Sequence, residues 1–221
     1  MPLSIAMDGP VGAGKSSIAD AVAKRLGILH LDTGAMYRAA AVYCLDCGVD
    51  IDDREAVEKL VNGLVVSVTF EEGHQLTFAD GRDVTRRLRT EATSMAASKI
   101  ATYPGVRRAM VRAQQALAKT QSMLVDGRDI CTVVLPNASV KIFLTASDTV
   151  RAQRRYLQLQ EKGEQADFAE VLEDLRRRDR QDMERETDPL RIAEDAVVVD
   201  TSDMNFEESV EAVLKVVEAA K

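Results

Sequence analysis

Short apolar runs alternate with longer amphipathic stretches along the chain, a rhythm that predicts a parallel sheet layered between helices. Apolar segments at residues 3–7, 28–31, 123–125, 140–145 and 196–200 read as five strands. Strands buried on both faces give such continuous runs rather than an alternation. Between them, helical periodicity covers residues 15–26, 35–47, 90–101, 106–119, 149–162, 168–185 and 206–219. One region breaks the rhythm. Residues 64–70 and 75–78 alternate apolar and polar positions on either side of Glu71-Glu72-Gly73-His74, which predicts a β-hairpin with a glycine-containing turn. Such an insert is either a small substrate-side subdomain or a partner surface, and composition does not choose between them. No segment repeats at a fixed period and none is low in complexity.

The chain has 221 residues, of which 46% are hydrophobic and 29% charged, so a single core of ordinary size accounts for it and disorder is excluded. The longest apolar stretches, such as residues 133–135 and 196–199, fall far short of the roughly 20 residues that cross a bilayer, so no membrane partner is expected. The N-terminus meets Asp8 without a basic leader or an apolar segment of signal-peptide length, and a cytoplasmic location is expected. An odd count of three cysteines argues for reduced thiols. Cys44 and Cys47 form a C-x-x-C, but the only histidines are His30 and His74, and the pair reads as two buried thiols late in a helix.

A net charge of −7 disfavours a nucleic-acid surface, because phosphate backbones need clustered, unopposed cations. The cations present are nevertheless unusual, with 20 Arg against 9 Lys and arginines bunched at Arg86-Arg87, Arg107-Arg108, Arg154-Arg155 and Arg176-Arg177-Arg178. Arginine grips phosphate or carboxylate in two-point geometry. An acidic protein with local arginine clusters points to a small anionic ligand in a pocket.

Gly9-Pro10-Val11-Gly12-Ala13-Gly14-Lys15-Ser16-Ser17 satisfies G-x-x-x-x-G-K-[ST], and it lies between the first predicted strand and the first predicted helix, which is the context that confirms a phosphate-binding loop. The glycines let successive N–H groups face inward, the helix beginning near Lys15 adds its positive dipole end, and Lys15 reaches the β and γ phosphates of a nucleotide. Ser16 offers its hydroxyl to Mg²⁺. A switch GTPase would carry N-K-x-D and D-x-x-G, and neither occurs.

Two further polar, glycine-bearing segments follow predicted strands: Asp32-Thr33-Gly34-Ala35-Met36-Tyr37-Arg38 and Asp126-Gly127-Arg128-Asp129. In an open parallel sheet the carboxyl ends of strands line the ligand crevice. Each segment is also readable as a turn in which Thr33 or Asp129 caps a helix. Arg178, Asp182 and Arg185 are spaced to share one helix face, as are Arg151, Arg154 and Arg155 on the preceding helix. Spacing alone leaves both groups open between solvated salt-bridge stripes and ligand contacts.

Taken together, G-P-V-G-A-G-K-S-S, L-D-T-G-A-M-Y-R, the inserted hairpin, D-V-T-x-x-L-R-T from Asp83 to Thr90, D-G-R-D, V-K-I-F-L and Q-E-K-G resemble the nucleoside monophosphate kinases, specifically the bacterial cytidylate kinase family, over nearly the whole chain. The resemblance implies a phosphate-loop α/β fold over 1–221, a five-stranded parallel sheet flanked by helices. It also implies a nucleoside-monophosphate-binding insert at 36–95, with its hairpin at about 64–84, and a short lid at 150–165. The implied reaction is transfer of the γ-phosphoryl group of ATP to CMP, and to dCMP, with Mg²⁺, by a monomer. UMP phosphorylation and an ATP-binding module without transfer are the rival readings. Matched by position, Arg38, Arg128 and Arg185 are implied to hold the acceptor phosphate, Tyr37, Arg178 and Asp182 its ribose, and Ser98, Arg107 and Asp129 its cytosine. Thr33 joins the acceptor-binding residues, and Arg154 and Arg155 fall in the lid over ATP. Lys15, Arg128 and Arg185 are the implied catalytic cations. One departure is Cys131, where the family carries glycine after D-G-R-D-[IM], and it puts in doubt any positive φ there.

Overall fold

β1 (Ser4–Asp8) lies at the centre of a five-stranded parallel sheet with β2 (Leu29–Asp32), β6 (Met123–Gly127), β7 (Val140–Thr145) and β8 (Val197–Asp200), in the order β2-β6-β1-β7-β8. The computed structural model describes residues 3–220; Met1, Pro2 and Lys221, which the single-domain expectation spans, lie outside the described residues. Ile5 to Asp8 register against Val140 to Phe143, and Ile142 to Thr145 against Val197 to Asp200. All five sequence-predicted strands are present, each shifted by at most two residues at an end.

By internal packing the described residues fall into two units, residues 29–123 and residues 3–28 with 124–220. In the second, Ile5 and Met7 of β1 and Ile142 and Leu144 of β7 pack with Ile18 and Val22 of α1 (Lys15–Leu26) and with Val210, Val213 and Val217 of α8 (Phe206–Ala219). These side chains account for the apolar periodicity of both helices. α8 starts at a capping box, with Asn205 accepting from the Glu208 N–H and Glu208 accepting from the Asn205 N–H. α6 (Asp148–Glu161) and α7 (Phe168–Glu184) pack together in the same unit, joined at their far ends by an edge-to-face contact of Tyr156 and Phe168.

The unit of residues 29–123 is built on α2 (Thr33–Asp46), whose Met36, Ala39, Ala40, Ala41 and Val42 are fully buried. Asp32, not Thr33, caps this helix, accepting from the Ala35 N–H at 2.9 Å. α3 (Arg54–Gly63) is absent from the sequence-predicted elements, although Asp53 caps it and Val57 and Val61, one turn apart, are fully buried. It packs against α5 (Pro104–Ala118), and α2 packs against α4 (Glu91–Ile100). The inserted hairpin is β3 (Val66–Glu71) paired with β4 (His74–Ala79), and a short β5 (Arg82–Asp83) extends it into a three-stranded meander. The two residues of its first turn have φ of 51° at Glu72 and 83° at Gly73, the left-handed pair that a tight hairpin turn requires.

One local expectation, the buried C-x-x-C pair, changes. Cys44 is buried and Cys47, at the end of α2, is exposed, so the C-x-x-C is not a buried pair; burial pushes the Cys44 thiol up to about 11. Cys131 lies in a single π-helical turn (Ile130–Val134) and is not among the residues with positive φ, so a side chain is accommodated where the family carries glycine. No described helix is long and apolar enough to cross a membrane.

Candidate active site

The phosphate loop occupies the turn from β1 into α1. Gly9 is required by close approach, since a Cβ there would sit 2.0 Å from the Leu144 carbonyl oxygen. Ala13 and Pro10 are buried, Gly12, Ser16 and Ser17 are exposed, and Gly14 is the αL residue from which α1 departs. Lys15 is 6% exposed, and its Nζ donates to the Gly9 and Pro10 carbonyl oxygens at 2.7 and 2.8 Å, which uses two of its three hydrogens. Burial first, and the Arg128 guanidinium second, bring its ammonium down to about 7. A polyanion beside it restores the charged form, because opposite charge favours ionisation.

Ser16 Oγ donates to Asp126 Oδ2 at 2.9 Å. Asp126 is a residue the sequence reading left without a role, yet an acidic residue closing an apolar strand (Met123, Leu124, Val125) is a legible signal in a phosphate-loop protein. A hydroxyl and a carboxylate are hard oxygen donors of the kind Mg²⁺ takes, and Mg²⁺ fills its remaining positions with water and phosphate oxygens. The residues therefore fit the ion. No described cluster of three or more His, Cys, Asp or Glu side chains forms an all-protein metal cage.

The loop after β6 carries Arg128 and Asp129. Arg128 Nε donates to Asp182 Oδ2 at 2.8 Å, so the half-buried Asp182 of α7 pairs across to this loop. Burial opposes the charge of Arg128, and Asp182, Asp126 and Asp179 outweigh it, holding the guanidinium above its ordinary range. Arg185, at the end of α7, sits 3.6 Å from Asp129 and 3.9 Å from Asp182, and its Nε donates to the Asp188 carbonyl at 2.6 Å. Arg178 is half-buried on the same helix, and burial lowers its guanidinium from the usual value. The structure thus brings Lys15, Ser16, Arg128, Asp129, Arg178, Asp182 and Arg185 onto one unit as an array of cations with interleaved carboxylates. Such an array suits a multiply charged anion.

Behind that array is Asp8, fully buried, whose two carboxylate oxygens accept the N–H groups of Ile130 and Cys131, each at 2.8 Å. Burial raises its carboxyl to about 6, against the two backbone hydrogen bonds that favour the anion. Asp8 therefore fixes the π-helical turn directly after Arg128 and Asp129. The Cys131 sulfur lies 3.6 and 3.7 Å from the carbonyl oxygens of Ala6 and Ile142, and burial drives its thiol well above the ordinary range.

Of the arginines on α6, Arg151 is buried, which removes the solvated-stripe reading for it. Arg154 is half-buried and donates to Thr201 Oγ1 and the carbonyls of Thr201 and Met204, whereas Arg155 is exposed. The expected lid arginines thus differ: one is anchored on residues 201–204 and one reaches solvent.

In the unit of residues 29–123, Arg38 pairs with Asp32 at 3.0 Å while its buried Nε has no hydrogen-bond partner. Arg107 is 1% exposed, donates to the Ala101 carbonyl at 3.2 Å and lies with its guanidinium carbon 5.9 Å from the centre of the Tyr37 ring, a cation–π arrangement. Ser98 is half-buried on α4 and Thr33 is buried at the start of α2. The meander's contribution was invisible in composition: the Gln75 amide of β4 accepts the Asp32 N–H at 2.8 Å and donates to the Asp32 carbonyl at 3.3 Å. The hairpin therefore braces the turn from which Thr33, Tyr37 and Arg38 project.

A glycine-bearing loop that frames a buried lysine, a hydroxyl–carboxylate pair fit for Mg²⁺ and an arginine-rich helix in the same unit define a phosphate-loop kinase. Shikimate kinase from Bacteroides thetaiotaomicron shares the fold, with a TM-score of 0.50 at 12% identity over 99% of each chain. A family model described as cytidylate kinase matches residues 5–219. Cytidylate kinase of Caldicellulosiruptor bescii is 45% identical over 213 residues, covering 96% of this chain and 94% of its own. Cytidylate kinase of Geobacillus kaustophilus is 46% identical over 215 residues, covering 97% and 96%. The chain belongs to the cytidylate kinase family.

Proposed function

We propose that this chain transfers the γ-phosphoryl group of ATP to CMP, and to dCMP, releasing ADP and the cytidine diphosphate. The observation that carries the reading is the Ser16–Asp126 hydrogen bond of 2.9 Å. It ties the phosphate loop to the strand end that presents Arg128 two residues later, so the donor's and the acceptor's phosphate-binding groups meet on one framework.

An oxygen of the acceptor phosphate forms the new bond to the γ-phosphorus as the bond to the β,γ-bridging oxygen breaks, and ADP departs. The acceptor is already an anion near neutral pH, so no general base is needed and the work is positioning and charge neutralisation. Residues 9–17 cradle the donor phosphates, and Lys15 directs its remaining N–H to them. Ser16 and Asp126 would hold Mg²⁺, which would supply further neutralisation of charge on the transferring group. Arg38, Arg128 and Arg185 hold the acceptor phosphate and offset repulsion between two polyanions. Tyr37, Thr33, Arg178 and Asp182 address the ribose, and Ser98, Arg107 and Asp129 read cytosine. Residues 150–165, with Arg154 and Arg155, cover the donor and exclude water. The insert at 36–95 is the acceptor-binding element, and the protein acts as a cytoplasmic monomer without a nucleic-acid partner.

The test is ADP release with Mg·ATP against CMP, dCMP, UMP, AMP, GMP and TMP and a blank without acceptor. Release with CMP and dCMP is the expected result. Strong release with UMP alone moves the acceptor assignment, and ADP release that ignores the acceptor removes the kinase reading.

A further inference from the structure

Val11, at the crown of the phosphate loop, has both of its backbone groups engaged by two buried side chains. Its N–H donates to Asp179 Oδ1 at 2.9 Å, and its carbonyl accepts from Arg151 Nη1 at 2.7 Å. The second hydrogen of the same Nη1 goes to Asp179 Oδ2 at 2.6 Å, and Arg151 Nε donates to the Ala146 carbonyl at 2.8 Å. Arg151 is 6% exposed and Asp179 is 8% exposed. The next loop residue also touches both helices: a Cβ on Gly12 would lie 3.2 Å from Leu175 Cδ1 of α7 and 3.3 Å from Arg151 Cβ of α6.

A buried ion pair recovers its desolvation cost only with good geometry and additional hydrogen bonds, and apolar residues of similar volume often serve stability as well. What a Leu–Met pair cannot do is hold a peptide group in register. Here the pair closes a ring through the Val11 peptide and commits its N–H, so the orientation of the loop is set by α6 and α7. Asp179 stands directly after Arg178 and one turn before Asp182 on α7.

We propose that Arg151 and Asp179 are positioning residues for phosphoryl transfer, holding the Val11 peptide so that the phosphate loop stays in register with the helix that carries Arg178 and Asp182. Neither touches substrate in this scheme. The proposal rests on the kinase reading above and deepens it. A misplacement of about 1 Å between donor and acceptor costs on the order of 10²-fold in rate, so a loosened loop is read in turnover more than in binding.

The test compares Arg151→Met with Asp179→Asn as a double variant, which leaves no uncompensated buried charge, with Arg151→Lys, which keeps the charge but lacks the fork that reaches Ala146, Val11 and Asp179 together. We expect kcat with CMP to fall about 10²-fold in the double variant and about tenfold in Arg151→Lys, with the KM values for ATP and CMP moving less than about threefold. Circular dichroism checks that both variants are folded. Folded variants with kcat within about twofold of wild type overturn the proposal, as does a loss carried entirely by KM. Should the double variant fail to fold, Arg151→Lys decides by the same criterion, and failure of both to fold assigns the pair to the core instead. Wild-type protein run alongside separates this outcome from failure of the kinase reading, which would leave no CMP-dependent release in any sample.

Discussion

Ser16 donates its hydroxyl to Asp126 across 2.9 Å, which joins the first turn of α1 to the end of β6 before any ion is considered. Asp126 is fully embedded in the strand's polar end, and the amide of Asp126→Asn keeps the hydrogen-bond acceptor while removing the negative charge. The variant should therefore fold, require about tenfold more Mg²⁺ for half-maximal rate and lose about 10²-fold in turnover. A Mg²⁺ titration at saturating ATP and CMP measures both. An unchanged Mg²⁺ requirement would assign Asp126 to holding Ser16 alone.

Lys15 combines burial with a tuned charge. Its ammonium is lowered from the ordinary 10.5 to about 7, chiefly by burial. Between those values the unfolded chain binds more protons than the folded one, so this group's cost to folding is full below about pH 7 and is relieved as pH rises towards 10.5. Bound triphosphate pulls in the other direction and recharges the lysine. Calorimetry of ATP binding at about pH 8, in buffers of differing ionisation enthalpy, should therefore show proton uptake that disappears in Lys15→Met. The same variant should lose at least about 10²-fold in turnover with its fold intact.

The sheet, the phosphate loop and the arginine-rich helix were legible because each rests on local chemistry: buried strands as continuous apolar runs, a loop with a fixed spacing, helices with a periodic face. What escaped was contact between distant positions. Gln75 and Asp32 are 43 residues apart, Val11 and Asp179 are 168 apart, and no periodicity connects either pair. α3 went unread although Asp53, Val57 and Val61 carry the signal of a capped helix, because its polar stretch is short and borders the hairpin. Arg151 shows the limit most plainly. On spacing it belongs to the same stripe as Arg154 and Arg155, while in the structure the first is in the core, the second half-buried and the third exposed.

In the unit of residues 29–123 the Arg107 guanidinium rests over the Tyr37 ring, 5.9 Å from its centre. A planar, always-charged donor that is 1% exposed and held in place by the Ala101 carbonyl is suited to hydrogen-bonding one base edge and leaving a mismatched edge unpaired. Ser98→Ala combined with Arg107→Met should narrow the preference for CMP over UMP by about tenfold or more, measured as the ratio of kcat/KM values. A retained preference would place base selection elsewhere. Because Arg107 is buried, thermal unfolding of the variant is recorded in parallel.

Asp182 serves two partners, Arg128 at 2.8 Å and Arg185 at 3.9 Å. Asp182→Ala removes both of these ion pairs, leaving Arg185 with Asp129 and the Asp188 carbonyl, and removes the acceptor proposed for the ribose hydroxyls. The KM for CMP should rise about tenfold with the KM for ATP little changed, and CMP should lose more than dCMP. Equal losses for the two acceptors would confine Asp182 to aligning the arginines.

Asp8 titrates where it can be observed. Burial raises its carboxyl from 3.8 to about 6, so between those values the folded protein binds more protons than the unfolded chain. Stability contributed through this group therefore increases as pH falls from about 6 to 3.8, the reverse of the behaviour of a salt-bridged carboxylate. Asp8→Asn cannot titrate, and its amide presents a donor to one of the Ile130 and Cys131 N–H groups, so it should be less stable at neutral pH. The diagnostic quantity is the difference in unfolding free energy between wild type and variant across that window. It should widen in favour of the wild type as the pH is lowered, because only the wild type gains from protonation. A difference that stays flat from about pH 6 downwards would mean that the two backbone hydrogen bonds already hold the carboxylate at its ordinary value, and that Asp8 anchors the Ile130–Val134 turn without strain.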